Sequence, residues 1–170
     1  MNNNKVKDDI NSTNKEIIAK LRKAQADFTE VGVRNALNDL LLTDAVVHMP
    51  YPFGDLVGPD DFFDTCYAPL FEAMPDLERR DWIVIGGRTE HGDNWIGCGG
   101  HYVGTFVGPW LDIPPTGHLT HMRFHEFYRF EQGLVVEVQA LWDIPEVMIQ
   151  ANACLLYTSD AADDSLGGGG

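Results

Sequence analysis

Early in the chain, apolar residues return every three or four positions: Ile17, Leu21, Ala24, Phe28 and Val31. That spacing places them on one face of a helix. Thr13-Asn14-Lys15-Glu16, just ahead, has the capping-box pattern of a hydroxyl followed three residues later by a carboxylate. Gly32 should break this helix, and Val33, Ala36, Leu37 and Leu40 predict a second, shorter one. Residues 45–49 are valine-rich and read as a strand, and 50–54, with two prolines and a glycine, as a loop. Gly58-Pro59-Asp60-Asp61 predicts another helix start, with proline in the first turn and acids at the positive end of the dipole. Pro69 should kink that helix and Pro75 should end it.

Beyond Pro75 the pattern becomes strand-like. Residues 82–85 are aromatic and β-branched, His91-Gly92-Asp93-Asn94 is a turn cluster, and Trp95 opens a returning strand to about Phe106. A long connection with three prolines follows, then a long strand from Leu119 to Phe130, a turn at Gln132-Gly133, and a partner strand over 134–141. Asp143-Ile144-Pro145-Glu146 repeats the capping-box pattern and opens a last short helix, with Asp143 as its N-cap. Helices followed by a mostly antiparallel sheet make an α+β domain, with the helices packed on one face of a curved sheet.

The long strand carries the sharpest chemical signal. Alternation puts Thr120, Met122, Phe124, Glu126, Tyr128 and Phe130 on one face, and His121, Arg123, His125, Phe127 and Arg129 on the other. The first face is mainly apolar and should point inward, which makes Glu126 the one acid on a buried face. Burial disfavours the charged form, so its pKa should rise towards neutrality, where a carboxyl can both take and return a proton. The structural alternative is a Glu126 that only hydrogen-bonds a buried Tyr or His. His101 lies in a glycine-rich strand that allows close approach, and could pair with Glu126 or hold a carbonyl. If the faces are reversed, Tyr102 is the residue that lines the pocket. His48 ends the first strand near the expected pocket mouth; Trp95, Phe124, Tyr128 and Trp142 are candidate pocket walls. His121 and His125 lie about 13 Å apart on a strand, too far for one metal ion, and their face reads as solvent-exposed or a partner surface.

Composition narrows the function further. The formal net charge is −14 and the basic residues form no block, which argues against a nucleic-acid partner. No run approaches the length a membrane span needs, and residues 1–14 lack the apolar core of a secretory signal, so a cytoplasmic location is expected. Cys66, Cys98 and Cys154 form no CxxC pair and read as reduced, buried thiols, with no metal site implied. Phosphate-loop and GxSxG patterns are absent. Residues 1–14 are expected to be frayed or disordered and 15–153 to be the domain. In residues 154–170 the run Leu155-Leu156-Tyr157-Thr158-Ser159-Asp160-Ala161-Ala162-Asp163-Asp164 resembles translated sequencing-adapter read-through, so that tail is expected to be non-native, as in environmental gene assemblies.

Several stretches resemble one family. They are Asp55-Leu56-Val57-Gly58; the run from Ala68-Pro69-Leu70-Phe71 to Pro75-Asp76-Leu77-Glu78; Gly100-His101-Tyr102-Val103-Gly104-Thr105-Phe106; and Ile113-Pro114-Pro115-Thr116-Gly117. The closing pattern is Glu126-Phe127-Tyr128-Arg129 with Gly133, Glu137, Asp143 and Gln150. Over about residues 35–151 the chain is similar to the SnoaL-like polyketide cyclases. The resemblance implies the nuclear-transport-factor-2-like fold, a cone-shaped α+β roll whose curved sheet wraps a pocket closed by helices. It implies a cofactor-independent, metal-free enzyme that closes a hydrophobic, polyketide-like carbonyl compound by aldol condensation. The family's acid/base is an aspartate on the long strand; the matching position is Glu126, one methylene longer, and Trp110-Leu111-Asp112 is an insertion relative to typical cyclases. The fold also implies a homodimer through the outer sheet face. Relatives of this fold include isomerases, dehydratases, epoxide hydrolases and non-catalytic ligand-binding or association modules, and fold alone does not choose among them.

Overall fold

The computed structural model describes residues 3–153, with side chains from residue 10 onward. The tail expected to be non-native, with Cys154, lies outside the described residues. Among the described residues five α-helices and one π-helical turn pack with one six-stranded sheet of order β2-β1-β6-β5-β4-β3. The strands are β1 (Leu41–His48), β2 (Asp55–Val57), β3 (Glu78–Arg88), β4 (Asn94–Thr105), β5 (Leu119–Glu131) and β6 (Leu134–Trp142). All neighbours run antiparallel except β1 and β6, which are parallel.

Helix α1 (Asn3–Asp27) runs back through the expected capping box, so residues 3–14 are helical. Its buried stripe is Asn14, Ile18, Leu21, Gln25 and Phe28, about one position round from the face read in the sequence, and Val31 is exposed. The break falls at Phe28, whose φ of 42° turns the chain, rather than at Gly32. Thr29 then caps α2 (Glu30–Leu40): its hydroxyl accepts the Gly32 N–H at 3.3 Å, and Gly32 lies inside the helix. Helix α1 packs across β3 and β4, with α2 alongside.

The third helical segment bends before Pro69, not at it. Helix α3 (Gly58–Phe62) passes into a π turn (Phe63–Tyr67) and then α4 (Ala68–Ala73). Pro69 has no N–H to donate and its ring crowds the preceding turn. The wider turn, in which the Ala68 N–H reaches back to the Phe63 carbonyl, accommodates it. Its buried face carries Phe63, Cys66 and Tyr67.

Cross-strand register settles which side chains face the helices. On β4, Ile96, Cys98, Gly100 and Tyr102 stand opposite Tyr128, Glu126, Phe124 and Met122 of β5 and share the inner face. On β3, Arg79 and Asp81 pair with Tyr102 and Gly100 and also point inward. A one-residue bulge at Trp82 then reverses the alternation, so Ile83 and Ile85 pair with Gly99 and Gly97 on the outer face.

The glycine-rich strand is shaped by packing on both sides. A Cβ at Gly97 would stand 2.9 Å from the Phe127 ring on the outer face. At Gly100, on the inner face, it would meet the Arg80 carbonyl oxygen at 2.2 Å and the Phe124 ring at 2.7 Å. Since one of those neighbours is backbone, Gly100→Ala should destabilise the fold by about 1–3 kcal/mol. Urea denaturation reads this directly, and a midpoint equal to wild type would show that the strands separate freely here.

Candidate functional site

Glu126 sits at the middle of the inner sheet face, fully buried. Its two carboxylate oxygens receive four donors. Tyr102 Oη and Trp142 Nε1 each donate to Oε1 at 3.0 Å. Tyr128 Oη donates to Oε2 at 2.7 Å, and Arg79 Nη1 at 2.5 Å. Three adjacent strands supply these groups: β4 brings Tyr102, β5 Tyr128 and β6 Trp142, while Arg79 enters from β3. Behind them Gln25 of α1 accepts from Arg79 Nη1 at 2.9 Å and donates to the Tyr67 hydroxyl at 2.6 Å. Arg79 Nε donates to Asp81 at 3.1 Å, and Arg22 Nε to the other Asp81 oxygen at 2.9 Å. A chain of alternating charge, Glu126–Arg79–Asp81–Arg22, thus runs from the core to the partly exposed Arg22.

This geometry changes the electrostatics expected from burial alone. Burial does push the Glu126 carboxyl upward, but the Arg79 charge and the bonds from Arg79, Tyr128 and Trp142 outweigh it. Its pKa is held below the ordinary carboxylate value, not raised, and the group is ionised at neutral pH. Tyr102 and Tyr128 are pushed well up, by burial first and by the Glu126 charge second, so both phenols keep their protons. Burial lowers Arg79, but Glu126 leads the groups that raise it well above its usual range.

Of the residues singled out in the sequence, Tyr102, Tyr128 and Trp142 touch Glu126, and Phe124 lies beneath the Arg79 guanidinium, 4.1 Å from ring centroid to Cζ. Three others are not brought to it. His101 pairs with Arg123 in register and is on the outer face, where its ring lies 4.4 Å from Trp82 and its Nε2 4.0 Å from Glu146. Alternation therefore makes Tyr102 the inward residue, and no His101–Glu126 pair forms. Trp95 is outer for the same reason and lines a cleft with Phe127 and Gln139. His48 is also outer: its Nδ1 lies 2.7 Å from Asp55, and its ring borders an outer cleft of 560 Å³ with His125 and Leu141. Asp143 is the expected N-cap of α5 (Ile144–Gln150), accepting the Glu146 N–H at 3.1 Å.

Arg79 is the residue that sequence reading missed. The third strand was expected to begin at Trp82, which left Arg79 and Asp81 outside it. The available signal was Glu126 itself, since a buried carboxylate needs a cation. Gln25 gave no such signal, because it lies off the helix face read from the sequence and is buried only in the structure. Cys66 and Cys98 are buried and free, as expected. Among the described residues no three His, Cys, Asp or Glu side chains group to hold a metal ion.

The model of the SnoaL-like polyketide cyclases matches residues 19–151. The chain belongs to this family. No curated protein sequence matches this SnoaL-like chain. Solved structures do share its fold. A protein assigned as a SnoaL-like polyketide cyclase from Jannaschia sp. CCS1 is 22% identical, covers 85% of this chain and 95% of its own, and superposes with a TM-score of 0.70. AclR from Streptomyces galilaeus, assigned as a hydroxylase, is 15% identical over 92% and 95% with a TM-score of 0.69. IdmH from Streptomyces antibioticus, assigned as a polyketide cyclase, is 19% identical over 82% and 98% with a TM-score of 0.62. At these identities the SnoaL-like fold is what the structures share.

The depressed Glu126 pKa fixes the sign of an acid dependence. The stabilisation is present above the unfolded carboxylate pKa, about 4.3, and is lost as pH falls through the folded value. Glu126→Gln leaves Arg79 without its buried counter-charge and should cost about 3–5 kcal/mol at neutral pH. The gap to wild type should shrink on acidification below the ordinary carboxylate range. Urea titrations at neutral and acid pH check this; a gap independent of pH rejects the ion pair as its source.

Proposed function

We propose that this protein is a cofactor-independent, cyclase-type enzyme acting on a small hydrophobic carbonyl compound of polyketide-like character. The observation that carries this reading is an ionised carboxylate among protonated phenols, enclosed by the aromatic rings of Phe124, Tyr67 and Trp142. In an aldol closure the Glu126 carboxylate takes the α-proton from a carbon flanked by carbonyls. The enolate carbon then bonds to a second carbonyl carbon of the same molecule, and the resulting alkoxide recovers the proton. A carboxylate of depressed pKa is a weak base, so it suits an acidic carbon between two carbonyls. The neighbouring phenols and guanidinium stabilise the oxygen on which charge develops. Isomerisation, dehydration and epoxide opening would use the same proton transfer on other substrates.

A second reading has an observation of its own. Each Glu126 oxygen already receives two donors, as a purely structural anion would, and the chain would then be a non-catalytic ligand-binding or association module. Incubation with 1,3-diketone, epoxide and enone compounds, with products followed by mass spectrometry, separates the two. For the enzyme, Glu126→Gln should lower turnover by about 10²–10⁴-fold. Equal turnover by wild type and variant removes Glu126 as the base, and a wild type inert towards all three classes favours the module.

We also read the protein as a cytoplasmic homodimer. No described helix is long and apolar enough to cross a membrane. On the outer sheet face Ile83, Ile85, Phe127 and Leu141 are about half exposed around the flat surface left by Gly97 and Gly99, an apolar area of the kind that marks association surfaces. Light scattering should give twice the chain mass for wild type and the single-chain mass for Phe127→Glu. A wild type at single-chain mass rules the dimer out.

A further inference from the structure

A guanidinium carries five N–H donors, and those of Arg79 are unevenly used. Nε serves Asp81, and Nη1 lies within bonding distance of three acceptors: Glu126 at 2.5 Å, Gln25 at 2.9 Å and Tyr102 at 3.1 Å. Nη2 has no protein acceptor, although the side chain is wholly buried. An unmet charged donor in the core is costly, because it has lost its water and gained nothing in return. The usual remedy would be a carboxylate gripping both terminal nitrogens. Tyr102 and Trp142 prevent it, because their bonds to Oε1 hold Glu126 so that only Oε2 faces the guanidinium. The other unmet buried donor among the described residues is Trp110 Nε1. Phe53 joins its ring to Trp142, at centroid distances of 6.3 and 5.9 Å, so Trp110 stands two ring contacts away from the residue that bonds Glu126.

We infer that Arg79 is a ligand-binding residue whose Nη2 donates to a ligand oxygen, and that the oxygen is the carbonyl of a neutral 1,3-dicarbonyl group. The inference rests on the acid/base reading of Glu126 and names the group that recognises the substrate there. An oxygen on Nη2 is one guanidinium carbon from Nη1, which holds Glu126 Oε2, so the carbon beside that carbonyl comes towards the base. Charge that develops on the oxygen as the proton leaves falls on a fixed, dry cation, where it is worth most. Neutrality follows from the neighbours. Glu126, Asp81, Arg79 and Arg22 already sum to zero charge, so a ligand that arrives as a carboxylate would bring an uncompensated charge into the core and lose its hydration for no net attraction.

Acetylacetone is a suitable probe: a small 1,3-diketone, largely neutral at neutral pH, with an enolate that absorbs in the ultraviolet. Titrated into protein labelled with ¹⁵N at arginine, it should shift the Arg79 Nη2 resonances saturably, while acetate should not. Arg79→Lys retains a cation for Glu126 but lacks the second donor nitrogen, and should bind the probe about tenfold more weakly or worse. Glu126→Gln should still bind it. No Nη2 response in wild type, equal binding of acetate, or undiminished binding by Arg79→Lys overturns the inference; the wild-type titration decides alone if that variant does not fold. If Glu126→Gln keeps full turnover while Arg79→Lys loses the probe, the acid/base reading fails and this assignment stands. If Arg79→Lys binds normally while Glu126→Gln is inactive, the reverse holds.

Discussion

A carboxylate and a guanidinium, 2.5 Å apart in a core from which water is excluded, set the terms for the rest of this domain. Neither charge is tolerable there alone, because the desolvation of an isolated buried ion amounts to several kcal/mol. Glu126 therefore requires Arg79. Its remaining lone pairs require Tyr102, Tyr128 and Trp142, and Arg79 in turn requires Asp81 and Gln25. These demands reach four of the six strands and the longest helix. They explain polar side chains at inward positions that would otherwise be apolar, and they tie α1 to the sheet by hydrogen bonds as well as by packing.

The same pair shapes what chemistry is open to the site. A buried carboxyl without a cation would drift towards neutrality and could act as acid and base in turn. Here the cation holds it ionised, so the protons available for donation sit on Tyr102 and Tyr128. On the proposed reading the labour would be divided between groups, with the base on one side chain and the proton donors on its neighbours. Such a site, with Glu126 as the base, would suit substrates whose own structure makes the carbon acidic.

Much of this was legible in the chain because it follows from period and punctuation. The alternation of β5 put Glu126, Phe124 and Tyr128 on one face, and the turn at Gln132-Gly133 and the Asp143 cap stand where expected. Misread features trace to departures from period. A strand of alternating inward and outward residues does not say which of two adjacent polar residues, His101 or Tyr102, faces the core; pairing with β5 decides that. The extent of β3 was hidden because Glu78-Arg79-Arg80-Asp81 reads as a charged surface run. Arg79 is in fact buried and Asp81 largely covered, each against a partner contributed by a distant segment. Short β2 carries too few residues to show any period.

The bulge at Trp82 and the π turn at Phe63–Tyr67 have one thing in common: each is one residue more than the regular element would hold. Upstream of the bulge β3 shows Arg79 to the core, and downstream it shows Ile83 to the outside. Removing that residue would force one half or the other to turn over. Removing one from the π turn would rotate everything on its far side by about 100° and carry Tyr67 away from Gln25. Both elements thus behave as ratchets in chain length. A gap of a single residue at either place in a relative would mean a differently wired core.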